Sequence, residues 1–142
     1  MSPRDATQKY TPSPDGLNAL FYAEISAAGR LRAQRCDTCT AMQHPPRYRC
    51  GSCGAIGWSW ADSAGAGTAV SWATTHRDVA LGWVAELPYT TLIVELDEGF
   101  QVIGALRDAN YKDLRIGTRV DAHVEPVSES FARIWFTMRQ PS

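Results

Sequence analysis

Apolar positions in this chain change their period part-way along. Leu17, Leu20, Phe21 and Ile25 recur three and four residues apart, which places them on one face of a helix. Asp15 stands where an N-cap belongs, and Gly29 where a left-handed residue ends a helix. The fourteen residues before it are polar, hold three prolines and predict a mobile lead-in. From Ser63 onward the period is two. Val70, Trp72, Thr74 and His76 share one face of a strand that starts after the Gly65-Ala66-Gly67 bend. Leu92, Val94 and Leu96 mark a second strand, and Asp97-Glu98-Gly99 turns the chain into a third over Phe100–Arg107. Val120, Ala122 and Val124 mark a fourth, and Ile134, Phe136 and Met138 a fifth. Leu114–Gly117 reads as a turn or a short helix. Five short strands with hairpin signals predict a small closed β-barrel.

Between helix and barrel the pattern is different. Short strands at Arg30–Gln34, Arg47–Arg49 and Trp58–Asp62 alternate with two CxxC knuckles, Cys36/Cys39 and Cys50/Cys53. These are all four cysteines of the chain, so the choice lies between disulfides, a redox dithiol and a metal site. The N-terminus has no apolar signal-peptide core, so a reducing cytoplasm is expected, and disulfides are disfavoured there. A redox CxxC usually stands alone at a helix start. Two knuckles supply four thiolates, the full tetrahedral set of a structural Zn²⁺, with iron as a substitute on overexpression. A left-handed residue after each knuckle lets backbone N–H groups point at sulfur; Gly54 fits, whereas Thr40 holds the equivalent place in the first. With four protein ligands the sphere is closed, which predicts a staple and not a reagent.

Composition narrows the rest. The chain has 142 residues, 44% of them hydrophobic and 20% charged, enough for one packed domain or a domain with a small appendage. Its net charge of −1 pulls it toward neither nucleic acid nor anionic membrane. No apolar run approaches the roughly 18–20 residues that span a bilayer. The charge is locally uneven: Arg30, Arg32, Arg35, Arg47 and Arg49 are opposed only by Asp37. Three readings stay open for them: gripping phosphate, pairing with acids on a partner, or donating toward the thiolate cluster and solvent. His44, His76 and His123 lie far apart, and no nucleophile–base or HExxH pattern is visible, so no catalytic residue is expected. Gly57–Ala61 lacks the last glycine of a nucleophile elbow, and Gly65–Thr68 lacks the lysine of a phosphate loop.

The stretches GRLRAQRCDTC, PPRYRCGSCG, WSWADSAGAGTAVSWATTH, ELDEGFQVIGAL and LRIGTRVDAHVE together resemble one family. It is the bacterial and archaeal zinc-ribbon/OB-fold family, once a domain of unknown function, whose barrel half is described as acyl-CoA-associated. The resemblance covers roughly residues 16–138, and Thr40 in place of the usual glycine is its mild departure. It implies a mainly β fold: an N-terminal helix, a rubredoxin-like four-cysteine zinc ribbon and a five-stranded OB-fold barrel. The units expected are 1–29, 30–62 and 63–142. It also implies an accessory, non-catalytic subunit that assembles as a hetero-oligomer with a thiolase-superfamily dimer. The complex would be an acyltransferase, thiolase or retro-aldolase, with a coenzyme A ester as its ligand. On that reading Arg30, Arg32, Arg47 and Arg49 are candidates for the CoA phosphates.

The helix face is broad for so short a ribbon to cover, and Ala80–Tyr89 is an aromatic, apolar loop. Leftover apolar surface of this kind points to a partner, which makes Leu17, Phe21, Ile25 and Trp83 the expected interface. The rival from another class is a ribbon-and-barrel protein that binds single-stranded nucleic acid. It is weakened by a barrel half whose seven lysines and arginines face ten acids.

Overall fold

A computed structural model describes residues 9–139 apart from 78 and 81. The first eight residues of the polar lead-in therefore lie outside the described part. Helix α1 runs Gly16–Ala28 and ends on Gly29, whose φ of 67° lets its N–H reach the Ile25 carbonyl at 2.9 Å. Asp15 occupies the N-cap position, but its carboxylate makes no cap bond; only its carbonyl engages the helix, accepting from the Ala19 N–H.

Three antiparallel strands follow: β1 (Arg32–Cys36) in the centre, β2 (Met42–Gln43) on one side and β3 (Trp58–Asp62) on the other. Arg47–Arg49, expected as a strand, is a bend. Pro45 and Pro46 bring no N–H donors to a ladder. The backbone of Arg47 is satisfied by a side chain instead. Gln34, 1% exposed, donates from Nε2 to the Arg47 carbonyl at 2.6 Å and accepts the Arg47 N–H at 2.8 Å.

The barrel uses β4 (Ala66–Thr75), β5 (Tyr89–Leu96), β6 (Gln101–Leu106), β7 (Arg119–Ser128) and β8 (Phe131–Met138). Its order is β4-β5-β6-β8-β7, closed by β7 on β4. Leu92, Val94, Val120 and Phe136 are fully buried, as their period of two predicts. A bulge between Ala69 and Ser71 takes Val70 out of the pairing, and β4 ends before His76, so the expected four-residue face is broken at both ends. Leu114–Gly117 is a turn that buries Leu114, preceded by one 3₁₀ turn at Tyr111–Asp113. Gly67 and Gly104 mark the tightest approaches: a Cβ would lie 2.4 Å from the Glu95 carbonyl oxygen at the first and 2.6 Å from that of Ile134 at the second. Strands β6 and β8 run parallel and pair only at Ala105–Trp135 and Leu106–Phe136. Toward Gln101 and Phe131 they part.

Helix α1 packs on β1, β7 and β8 at once, and one continuous core joins Phe21, Ile25, Leu31 and Ala33 to the barrel interior. This corrects part of the expected interface. Phe21 is 1% exposed and Ile25 0%, so both lie inside the chain's own core and offer a partner no surface. Each contributes about 2–3 kcal/mol of burial to the joint between ribbon and barrel. The two faces that the helix covers, one on the ribbon and one on the barrel, exceed what the ribbon alone would need. Leu17 and Trp83 stay half-buried. Among the described residues no helix is long and apolar enough to cross a membrane.

Candidate functional site

The two knuckles are built alike. After Cys36 the chain turns so that the Thr40 N–H reaches the Cys36 carbonyl at 3.0 Å, and the Cys36 N–H reaches the Ala41 carbonyl at 2.9 Å. After Cys50, Gly54 and Ala55 repeat both bonds at 2.9 Å. Each turn needs a left-handed residue, supplied by Gly54 at φ 78° and by Thr40 at φ 65°. The knuckles face each other with Cys36 Sγ 3.6 Å from Cys53 Sγ and Cys39 Sγ 3.5 Å from Cys50 Sγ. All four sulfurs lie within 4.8 Å of one another. A tetrahedral ion with bonds of about 2.3 Å would hold its sulfurs about 3.8 Å apart, so the set fits Zn²⁺.

Backbone donors prepare the sulfurs for charge. Thr38 and Cys39 N–H point at Cys36 Sγ at 3.4 and 3.5 Å, and Ser52 N–H at Cys50 Sγ at 3.3 Å. Hydrogen bonds from Cys39 and then Thr38 hold the Cys36 thiol below its ordinary range. Those from Cys53 and Ser52 draw Cys50 down to about 6. The Ala41 N–H draws Cys39 the same way, but its contact with Cys50 and partial desolvation outweigh it and push Cys39 up to about 12. Four thiolates crowd together only around a cation, which is what this cluster is shaped to hold.

The five arginines do not form one patch. Arg30 donates to Asp62 at 2.9 Å, and Arg32 meets Asp62 at 2.8 Å and also Glu24. The Arg30 hydrogen bond, with both arginine charges behind it, holds the Asp62 carboxyl below the usual carboxylate range. Arg47 and Arg49 turn instead to the second knuckle: Arg49 donates to the Gly54 carbonyl at 3.2 Å, and a Cβ on Gly51 would lie 2.9 Å from the Arg47 guanidinium. The histidines stay apart. His44 is half-buried against Phe21 at 4.4 Å between ring centres, exposed His76 meets Tyr111 edge-on at 6.0 Å, and His123 bonds Thr137 while stacking on Trp135. Among the described residues the three do not converge on a nucleophile.

One feature of the surface escaped the sequence reading. Where β6 and β8 part, Tyr22, Trp83, Ile103, Phe131, Arg133 and Trp135 line a groove of about 260 Å³. The alternation Ile103, Arg133, Trp135 on outward positions was its only trace, since nothing in the pattern shows that the two strands diverge.

The comparisons with known proteins follow the same division. Residues 25–56 match the model of the ChsH2 rubredoxin-like zinc ribbon domain, and residues 60–125 that of the ChsH2 C-terminal OB-fold domain. The chain belongs to the ChsH2 zinc-ribbon/OB-fold family. Among solved structures it is similar to a chain of an Ltp2-ChsH2(DUF35) aldolase, with a TM-score of 0.78 and 27% identity, over 90% of this chain and 98% of that one. A DUF35-family protein of unknown function from Sulfolobus solfataricus shares the fold at a TM-score of 0.57 and 12% identity, covering 87% of each chain. A curated relative from Thermomonospora curvata, named a probable enoyl-CoA hydratase alpha subunit, is 32% identical over 100 residues. Those residues are 70% of this chain, which spans 31% of that relative's length. The ribbon and closed barrel of this ChsH2-family chain are thus those that the cysteine spacing and strand pattern led one to expect, and the OB fold is the one that the resemblance implied.

Proposed function

We propose that this ChsH2-family chain is a non-catalytic subunit of an acyl-CoA enzyme complex, seated on a thiolase-superfamily partner that makes or breaks a C–C bond. The observation that carries the reading is the likeness over nearly its whole length to a chain of a solved aldolase complex. Its own residues support it: the thiols gather into one closed set, and the histidines stand apart. Cys36, Cys39, Cys50 and Cys53 would hold Zn²⁺, which when bound supplies a rigid tetrahedral cross-link and no open coordination position. The coenzyme A ester would be bound by the complex, with Arg47 and Arg49 the two of the four candidate arginines that have no acidic partner among the described residues and could meet its phosphates. Arg30 and Arg32 serve that role less well, because Asp62 and Glu24 already neutralise them.

The dock moves outward from the buried helix face. Leu17 lines a groove with Pro45, Pro46 and Tyr48, and one turn on Leu20 is 52% exposed, with Tyr48 at 72%. This rim, with the Trp83 loop, is the surface assigned to the partner. The relative named as a hydratase subunit favours a second reading, in which the partner acts on an enoyl-CoA and not on a C–C bond.

Co-expression of the tagged chain with enzymes from both classes, followed by gel filtration and activity assays, separates the readings. The chain alone should turn over no acyl-CoA ester, and Leu20→Asp should release the partner while the ribbon stays metal-loaded. Turnover by the isolated chain would sink the proposal; a stable complex with the hydratase alone would select the second reading.

A further inference from the structure

We propose that the groove where β6 and β8 part is a binding site for a small amphipathic carboxylate, one with an aliphatic body and a single anionic head. The inference does not rest on the accessory-subunit reading. It starts from Arg133. Its side chain is only 18% exposed, yet the nearest carboxylate oxygen, on Glu125, is 3.9 Å from Nη1, too far for a hydrogen bond. The cause is competition across β7 and β8. Glu125 sits opposite Arg133 in the register but accepts from Arg107 Nη1 at 2.5 Å. Two guanidinium groups share one carboxylate, and among the described residues Arg133 donates to no protein acceptor. A largely buried cation in that state favours an incoming anion, and a carboxylate matches its planar fork.

The walls select the rest of the ligand. Ile103 is 62% exposed on a mid-barrel strand, and Tyr22 and Phe131 lie ring to ring at 4.9 Å beside it. A flat base is disfavoured because the indole faces are already taken. His123 stacks on Trp135 at 4.2 Å and the Arg107 guanidinium lies 4.9 Å from the same ring. Lys9 stands 4.9 Å and Arg133 5.8 Å from the ring of Trp83, while Lys9 also pairs with Glu86 at 3.5 Å. What remains is an apolar trough that ends at a guanidinium. Counting Lys9, Arg107 and Arg133 against Glu86 and Glu125, the rim carries one net positive charge. At about 260 Å³ the trough suits a short chain of carbons.

The test is a titration of the full, metal-loaded chain with octanoate, followed by the indole N–H resonances of Trp83 and Trp135, with 1-octanol and acetate as probes lacking the head or the body. Octanoate should shift both resonances saturably, with octanol about tenfold weaker or more, the scale of one charge-assisted hydrogen bond. Acetate should not saturate. Arg133→Gln should abolish the preference of octanoate over octanol. Ile103→Glu, at an exposed position that leaves folding alone, should weaken octanoate by repelling its head. Equal affinity for octanol, a preference that survives in Arg133→Gln, or octanoate binding unchanged by Ile103→Glu would each overturn the site.

Discussion

Thr40 is held at φ 65°, where a β-branched side chain crowds its own backbone. Left-handed backbone costs an ordinary residue about 1–2 kcal/mol and costs glycine almost nothing. The knuckle tolerates that cost because two backbone bonds and a sulfur cluster over-determine the turn. The Thr40 hydroxyl recovers little, donating at 2.6 Å to the neighbouring Cys39 carbonyl at an exposed site. Thr40→Gly should therefore stabilise the metal-loaded protein by about 1 kcal/mol and raise Tm by a few degrees. Thermal melts of the two proteins at equal zinc content decide it, and a lower Tm for the glycine variant would show that the hydroxyl matters more than the strain.

The ribbon is the element that a metal has to complete. Its strands are short, β2 only two residues long, and Cys36 and Cys50 are its buried cysteines. So small an element has too little apolar surface to hold itself together, and the free energy of metal binding becomes folding free energy. Elemental analysis should find one zinc or iron per chain. Cys36→Ser should lose the metal and most of the soluble protein, while the barrel sequence is untouched. A folded Cys36→Ser protein without metal would show that helix and barrel support the knuckles by packing alone. The misread segment at Arg47–Arg49 belongs to this scale too. Its polar and aromatic alternation resembles a strand, but Gln34 meets its backbone from the side, and a glutamine's hydrogen-bond partner 13 residues away leaves no mark on periodicity.

At the scale of the molecule, His44 sits where the ribbon meets the helix, its ring 4.4 Å from that of Phe21. Burial lowers its pKa from 6.5 to about 4, and its Nδ1 is buried without a partner. The unfolded chain takes up that proton first, near pH 6.5, and the folded chain only near 4. Stability should thus fall as pH drops through this window and level off below it, by a total of about 3 kcal/mol. His44→Leu should flatten that part of the curve, and urea unfolding of both proteins between pH 7 and 4 measures the difference. Acid release of the metal lowers both curves alike, so only their divergence reports His44. Parallel curves would mean that the joint opens to solvent before His44 is charged.

Much of this protein was legible one residue at a time. Two CxxC knuckles state a metal site because ligand spacing is a local property, and alternation over Leu92–Leu96 states a half-buried strand because side chains point to opposite faces. The helix was legible as well, down to Gly29 at its end. Its destination was not. Phe21 and Ile25 were expected at a partner's dock, and an apolar face does not by itself say what will cover it. Only the tertiary structure, by laying α1 across β1, β7 and β8, buries them within the chain. It also pairs Arg30 and Arg32 with acids 30 or more positions away or on a neighbouring helix, parts β6 from β8, and sets Arg107 and Arg133 against the single carboxylate of Glu125. Those outcomes depend on which distant segments meet, and that is settled by closure of the barrel and not by any short pattern along the chain.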